Sequence, residues 1–397
     1  MSSSIDPLGM TSSAWEAFAE SLDLPRYRGR QIFDALHRRG AKGYDEMREL
    51  PRELRVRLTE QVSLRFPEIA RREESADGSS KYGLRLSDGA LIEAVFMPGE
   101  RIRANVNEFE DARAQSAKSE VQSPKSSQAN ALKSRVSDRE SLVPFTVCLS
   151  SQTGCAVDCA FCVTGRLGAG RNLTAGEILG QLYVVLADAG RTTEGLRVVF
   201  MGMGEPFLNP GGVLPALDVL FEILSPRRVT VSTSGITPAF SVFGAQARRP
   251  NLAVSINASD EGTRTRLMPI NATYPLAGLV AAMRVWPLEP RRRITVEYVL
   301  IAGLNDSPED AARLAKLLAG IPVKVNVIPL NEDPVYLPGW KRPDEAVIDR
   351  FAARLASSRM AVTVRRSRGP DARAACGQLK GRTQDTRRRA VGAGQQS

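Results

Sequence analysis

From Phe145 onward the sequence alternates short apolar runs with longer stretches of helical period, and no other feature limits the fold as strongly. The pattern predicts strands over Phe145–Leu149, Arg197–Met201, Arg228–Ser232, Leu252–Ile256, Ile294–Leu300 and Val323–Ile328. Between them it predicts helices, most clearly over Ala175–Ala189, Val213–Leu224, Leu276–Val285 and Pro308–Leu318. Repeated βα units require parallel strands, because a helical crossover returns the chain to the same end of the sheet. Six such strands predict an α/β fold built as a partial (β/α)6 barrel rather than a full eightfold one. In barrels of this kind the chemistry sits at the C-terminal ends of the strands.

The loop after the first predicted strand carries Cys155-Ala-Val-Asp-Cys159-Ala-Phe-Cys162, three of the chain's five cysteines. The C-x3-C-x2-C spacing gathers three thiolates on one compact loop, and thiolates at that density select zinc or an iron–sulfur cluster. Structural zinc takes four ligands. Here there is neither a second cysteine pair nor a nearby histidine, since the only histidine is His37. A [4Fe–4S] cluster held by three cysteines leaves one iron open to another ligand, which is what catalysis needs. An odd cysteine number also suits reduced thiols better than a disulfide framework. The fifth cysteine, Cys376, sits before Gly377 in a basic neighbourhood. It reads as a reactive thiolate on a mobile, exposed loop rather than as an inert small core residue.

The other predicted strand ends place small or polar groups at the same mouth. They are Met201-Gly202-Met203-Gly204-Glu205-Pro206, Ser232-Thr233-Ser234-Gly235, Ser255-Ile256-Asn257 and Pro329-Leu330-Asn331. The glycines let a ligand approach the backbone, and Glu205 offers a carboxylate to an ammonium group. Any one of these is an ordinary loop; four together favour a polar ligand site.

Upstream, Ala14 to Ala70 reads as helical and basic, and Lys81 to Met97 alternates as a hairpin around Ser87-Asp88-Gly89. Arg101 to Val143 is rich in Ser, Ala, Arg, Glu and Gln, a composition too polar to bury a core. The chain therefore divides into an N-terminal basic helical domain (1–75), a β-hairpin (76–100), a flexible low-complexity insertion (101–143), the partial barrel (144–366), and a cysteine loop with a basic tail (367–397). The net charge of +10 suits an anionic partner, most often nucleic acid. No apolar run approaches the roughly 20 residues a membrane span needs. Met1 to Met10 lacks the basic start and apolar stretch of a secretory signal. The expected location is cytoplasmic.

The cysteine spacing together with Gly204-Glu205-Pro206 resembles the radical S-adenosylmethionine (SAM) superfamily. More narrowly, several segments resemble the RlmN/Cfr family of RNA adenine methyltransferases. These are Cys148-Leu-Ser-Ser-Gln-Thr-Gly-Cys155, Thr164-Gly165-Arg166, Arg171-Asn172-Leu173-Thr174 and Ala375-Cys376-Gly377-Gln378-Leu379. Tyr27-Arg28, Gln31-Ile32-Phe33 and Asp45-Glu46-Met47 look like the same family's helical accessory domain. The likeness runs from about Ala14 to Arg389 apart from the insertion, and all five cysteines find a counterpart.

The resemblance implies a [4Fe–4S] cluster on Cys155, Cys159 and Cys162, with SAM on the open iron. It implies SAM contacts from Gly204, Glu205, Ser232, Ser255, Ile256, Asn257 and Asn331. Cys376 would carry a methyl group taken from one SAM. A radical made from a second SAM would activate that group to attack adenine at carbon 2, in rRNA or tRNA. Cys148 would then release the product by forming a disulfide with Cys376, and Glu93 would accept the proton. A redox partner such as flavodoxin or ferredoxin would supply electrons. The plainer alternative for Glu93 is an exposed hairpin carboxylate. Two features mark a divergent member: the insertion, and Asn257 where the family usually has histidine, although asparagine still donates and accepts hydrogen bonds. The alternatives are the same chemistry at adenine carbon 8, a radical SAM enzyme acting on a peptide or metabolite, and a non-enzymatic nucleic-acid-binding protein with a structural metal.

Overall fold

A computed structural model describes residues 5–99, 143–365 and 379. The 101–142 part of the insertion, Cys376 and the basic tail lie outside the described residues. Among the described residues, ten strands form one sheet in strict sequence order. They are β1 (Glu68–Glu74), β2 (Ser80–Arg85), β3 (Leu91–Met97), β4 (Phe145–Cys148), β5 (Leu196–Phe200), β6 (Val229–Thr233), β7 (Asn251–Ser255), β8 (Ile294–Leu300), β9 (Val323–Pro329) and β10 (Ala361–Val364). From β1 to β4 the pairs are antiparallel, and from β4 to β10 they are parallel. All six predicted parallel strands are present, β4 to β9, and β10 adds a seventh at the edge.

The hairpin β2–β3 is joined to the barrel strands, since Val95 pairs with Cys148 across β3 and β4. One expectation needs correction. The sequence reads as helical up to Ala70, but the last N-terminal helix ends at Gln61 and residues 68–74 form β1. Glu-Ile-Ala-Arg-Arg-Glu-Glu has no apolar alternation to announce a strand. Backbone pairing to β2 makes it one, with most of its side chains left in solvent.

The helices Ser12–Ser21, Tyr27–His37 and Arg52–Gln61 pack onto the barrel rather than standing apart. Trp15, Ile32, Phe33 and Leu36 belong to the same buried cluster as Leu179 and Leu182 of the helix Ala175–Asp188. The first two helices approach so closely at Gly29 that a Cβ there would lie 2.2 Å from the Trp15 carbonyl oxygen. His37 and Tyr183, both buried, share a hydrogen bond of 2.5 Å across this seam.

Several of the helices between parallel strands start on side-chain caps. Thr174 and Glu177 form a reciprocal capping box at Ala175–Asp188. Asn209 caps Pro210–Ile223, and Asp260 caps Glu261–Leu267. These caps fix where each loop at the C-terminal mouth turns, and so where its functional groups stand.

Candidate active site

The three clustered cysteines lie on one wall of a cleft at the mouth of the barrel, with about 880 Å3 of unfilled space. The same cleft is lined by Gly204 and Glu205 after β5, Ser232, Thr233 and Ser234 at the end of β6, Ser255 and Asn257 at the end of β7, and Glu297 and Val299 on β8. Phe161, Met201 and Ile328 supply apolar surface.

The cysteine loop is held from several sides. The Cys155 amide donates to the Gly168 carbonyl, the Cys162 amide to the Cys159 carbonyl, and the Ala160 amide to the Leu267 carbonyl. Asp158, between two of the cysteines, takes a left-handed backbone (φ 53°), which aspartate tolerates better than most residues. Burial pushes the Cys155 thiol up to about 12 and the Cys159 and Cys162 thiols above their usual value. Neighbouring thiols and Glu205 raise Cys155 and Cys159 further. Three thiolates in this wall therefore need compensating positive charge, and metal coordination deprotonates a thiol outright.

Among the described residues no three His, Cys, Asp or Glu side chains close around a single ion-sized point. The three cysteines all line the same cleft. Soft sulfur donors, no fourth protein ligand in the loop and an adjoining cleft that carries the polar groups of Glu205, Ser232 and Ser255 fit a three-cysteine [4Fe–4S] cluster with an open iron.

Glu205 is 2% exposed and aimed by two backbone amides, those of Phe207 at 2.9 Å and Ser234 at 2.7 Å. Burial raises its pKa, and these bonds oppose the rise. Its own amide is gripped by Gln152 Oε1 at 2.8 Å. Gly204 has φ +95°, and a Cβ there would sit 2.6 Å from Gln152 Cβ, so only glycine fits. Gln152 Nε2 also donates to Asn172 Oδ1, linking the Cys155 loop to the Arg171-Asn172-Leu173-Thr174 segment.

Asn257 is buried with φ 58°, again a conformation that asparagine tolerates. Its Oδ1 accepts from the Val299 amide at 2.8 Å, and its Nδ2 donates to Met268 Sδ. Ile256 is not in the cleft wall: its side chain is buried in the hydrophobic core, its amide donates to the Glu297 carbonyl and its carbonyl accepts from Arg264 Nε. Asn331 is half-buried two residues beyond β9 and is not part of the wall.

Glu93 is not exposed. It is fully buried on β3 and paired with Arg71 of β1. The hairpin pattern hid this because β1, which supplies the arginine, has no apolar signature. Cys148 is buried at the end of β4, opposite Val95. Since Glu93 and Val95 are two apart on one strand, Glu93 and Cys148 face the same side of the sheet. Ser150 ties the region together. Its hydroxyl donates to the Glu93 carbonyl at 2.6 Å and accepts from the Met203 amide at 2.8 Å.

Cys376 lies outside the described residues, but both flanks of its segment reach the cleft. Arg365 and Leu379 are in its wall, and Leu379 is buried with its carbonyl accepting from the Thr164 hydroxyl at 2.7 Å.

Residues that sequence reasoning missed include Arg264, which is fully buried. It donates to the carbonyls of Ser234 and Ile256 and to Asn271 Oδ1, drawing together the ends of β6 and β7. Burial lowers its pKa to about 10. No helix among the described residues is long and apolar enough to cross a membrane.

Comparison with known proteins agrees with this geometry. Residues 149–315 match the model of the radical SAM superfamily, and residues 5–64 match that of the ribosomal RNA large subunit methyltransferase N-terminal domain. A dual-specificity RNA methyltransferase RlmN from Anaeromyxobacter dehalogenans is 40% identical over 92% of this chain and 90% of its own. The protein of the same description from Geobacter sulfurreducens is 40% identical over 96% and 94%. A solved radical SAM methyltransferase from Sphaerobacter thermophilus superposes with a TM-score of 0.78 at 36% identity, covering 94% of this chain and 99% of that one. With three thiols on one wall of a cleft and relatives matching nearly end to end, the chain belongs to the RlmN family of radical SAM RNA methyltransferases, enzymes that use a [4Fe–4S] cluster and SAM.

Proposed function

We propose that the chain methylates carbon 2 of an adenine in rRNA or tRNA, with Cys376 as the methyl carrier. The observation that carries this reading is that the cysteine-lined cleft also holds Arg365 and Leu379, the two flanks of the segment bearing Cys376. Cys376 precedes Leu379 by three residues in the sequence, and three residues of extended chain span at most about 11 Å. An adenine ring carbon between two nitrogens is electrophilic and does not attack a methyl donor. The cluster and SAM, when bound, supply the radical chemistry that such a carbon requires.

The chain's own residues then have distinct tasks. Cys155, Cys159 and Cys162 hold the cluster. Glu205, fixed by two amides, receives the amino group of SAM, and Ser232, Ser255 and Asn257 line the rest of its berth. Glu93, kept dry and steered by Arg71, is the proton acceptor. Cys148, on the same side of the sheet, is the thiol that closes a disulfide with Cys376 and frees the product. An external one-electron donor of the flavodoxin or ferredoxin class serves the cluster, and the reaction takes place in the cytoplasm.

The test is anaerobic incubation of cluster-loaded protein with RNA, reductant and methyl-labelled SAM, followed by nucleoside digestion and chromatography. Label co-eluting with 2-methyladenosine is expected. Co-elution with 8-methyladenosine would move the reaction to carbon 8, and unlabelled RNA despite SAM cleavage would contradict an RNA substrate.

A further inference from the structure

We propose that Glu297 recognises the ribose of the SAM nucleoside, its cleft-facing carboxylate accepting hydrogen bonds from the vicinal hydroxyls. The inference rests on the reading that the cleft holds SAM. Glu297 sits in the middle of β8, a strand flanked on both sides by parallel neighbours. It is 6% exposed and lines the cleft. Asn326 Nδ2 of β9 donates to its Oε1 at 3.1 Å and so orients the carboxylate. The second oxygen, Oε2, is buried and has no hydrogen-bond partner among the described residues. An unmatched carboxylate oxygen in a dry site is costly, and a bound donor removes the cost.

Three observations select the donor. First, the cleft has two carboxylates with different surroundings. The charge of Glu205 acts on Cys155 and Cys159, whereas Glu297 interacts electrostatically with Arg365 and Lys324. Glu205 therefore serves the amino-acid end beside the cluster, and Glu297 serves the part that extends away from it. Second, Val299, on the same face of β8, and Ile328 of β9 supply apolar surface suited to a base. The sugar lies between the amino-acid end and the base. Third, the register sets Ser255, Glu297 and Asn326 side by side on three adjacent strands. Strands stand about 4.8 Å apart, so the Ser255 hydroxyl and Glu297 present neighbouring polar groups to neighbouring hydroxyls. A carboxylate reading a ribose hydroxyl is an established solution in nucleotide sites.

The test is anaerobic calorimetry of the full cluster-loaded chain with S-adenosylhomocysteine and its 2′-deoxy and 3′-deoxy counterparts. These ligands report binding without turnover. The wild type is expected to bind at least one deoxy ligand roughly ten-fold or more weakly than the parent, the scale of a lost hydrogen bond to a charged group. In Glu297→Gln, parent affinity falls towards the deoxy value and discrimination shrinks, while bound iron is unchanged. Should Glu297→Gln lose its iron, Glu297→Asp keeps the charge but withdraws it from the sugar, with the same expectation. Equal binding of all three ligands by the wild type overturns the proposal, as does full discrimination in a folded variant. Failure of the iron-loaded wild type to bind any of the ligands instead overturns the SAM reading of the cleft.

Discussion

Replacing Gly204 by alanine should damage the fold and the site through one clash. At φ +95° an L residue is strained by about 1–2 kcal/mol. The added Cβ would lie 2.6 Å from Gln152 Cβ and 2.7 Å from the Gln152 backbone nitrogen, so backbone rather than a flexible side-chain tip must yield. Overpacking of that kind costs about 1–3 kcal/mol, giving about 2–5 kcal/mol in all. Gln152 Oε1 also holds the Glu205 amide at 2.8 Å, so displacing Gln152 moves the carboxylate away from the ligand. S-Adenosylhomocysteine affinity should fall at least ten-fold, roughly the value of one charged hydrogen bond. The control is Gly211→Ala, where an added Cβ meets nothing within 4 Å and stability should change by less than about 1 kcal/mol. Urea unfolding followed by tryptophan fluorescence, together with anaerobic calorimetry, reads both effects. If Gly204→Ala matches Gly211→Ala in midpoint and affinity, the steric reasoning is wrong.

Further outcomes follow from the same geometry. Cys155→Ala, Cys159→Ala and Cys162→Ala should each lose bound iron and visible absorbance on reconstitution, whereas Cys148→Ala should keep both; iron and sulfide analysis decides. Glu93→Gln should lower RNA methylation by about 10²–10⁴-fold, the usual worth of a positioned acid or base, while SAM cleavage continues; equal loss of both would place Glu93 elsewhere in the reaction. Burial holds the His37 imidazole down to about 3, from 6.5. Below pH 6.5 the unfolded chain binds a proton that the folded chain refuses. His37 therefore costs no stability above pH 6.5, and stability falls by about 1.4 kcal/mol per pH unit between 6.5 and 3. The paired substitution His37→Phe with Tyr183→Phe should flatten the decline of the thermal midpoint from pH 7 to 5; an unchanged slope would assign the decline to other groups.

The barrel was legible because buried parallel strands are nearly continuous apolar runs, and helices of 3.6-residue period separate them. The edge strands were not. β1 is mostly charged, and β10 is four residues of Ala-Val-Thr-Val with alternate side chains exposed, so backbone pairing rather than sequence defines both. Glycines and polar groups at strand ends pointed to the cleft, since Gly204, Glu205, Ser232, Ser255 and Asn257 all line it. Arg264 gave no signal because an arginine on a short polar helix normally reads as solvated, and only the tertiary fold brings it beneath two strand ends. Glu297 did leave a trace: a lone charge inside the buried strand Ile-Thr-Val-Glu-Tyr-Val-Leu is anomalous. Glu93 left a similar trace inside Leu-Ile-Glu-Ala-Val-Phe-Met, and its partner Arg71 became visible only once β1 was in place.

The most direct test of the account is nucleoside mass spectrometry of RNA treated anaerobically with cluster-loaded protein, reductant and methyl-labelled SAM, run beside Cys376→Ala. The account predicts labelled methyladenosine from the wild type and none from the variant, with iron content equal in the two. Labelled methyladenosine from Cys376→Ala at the wild-type level would contradict it.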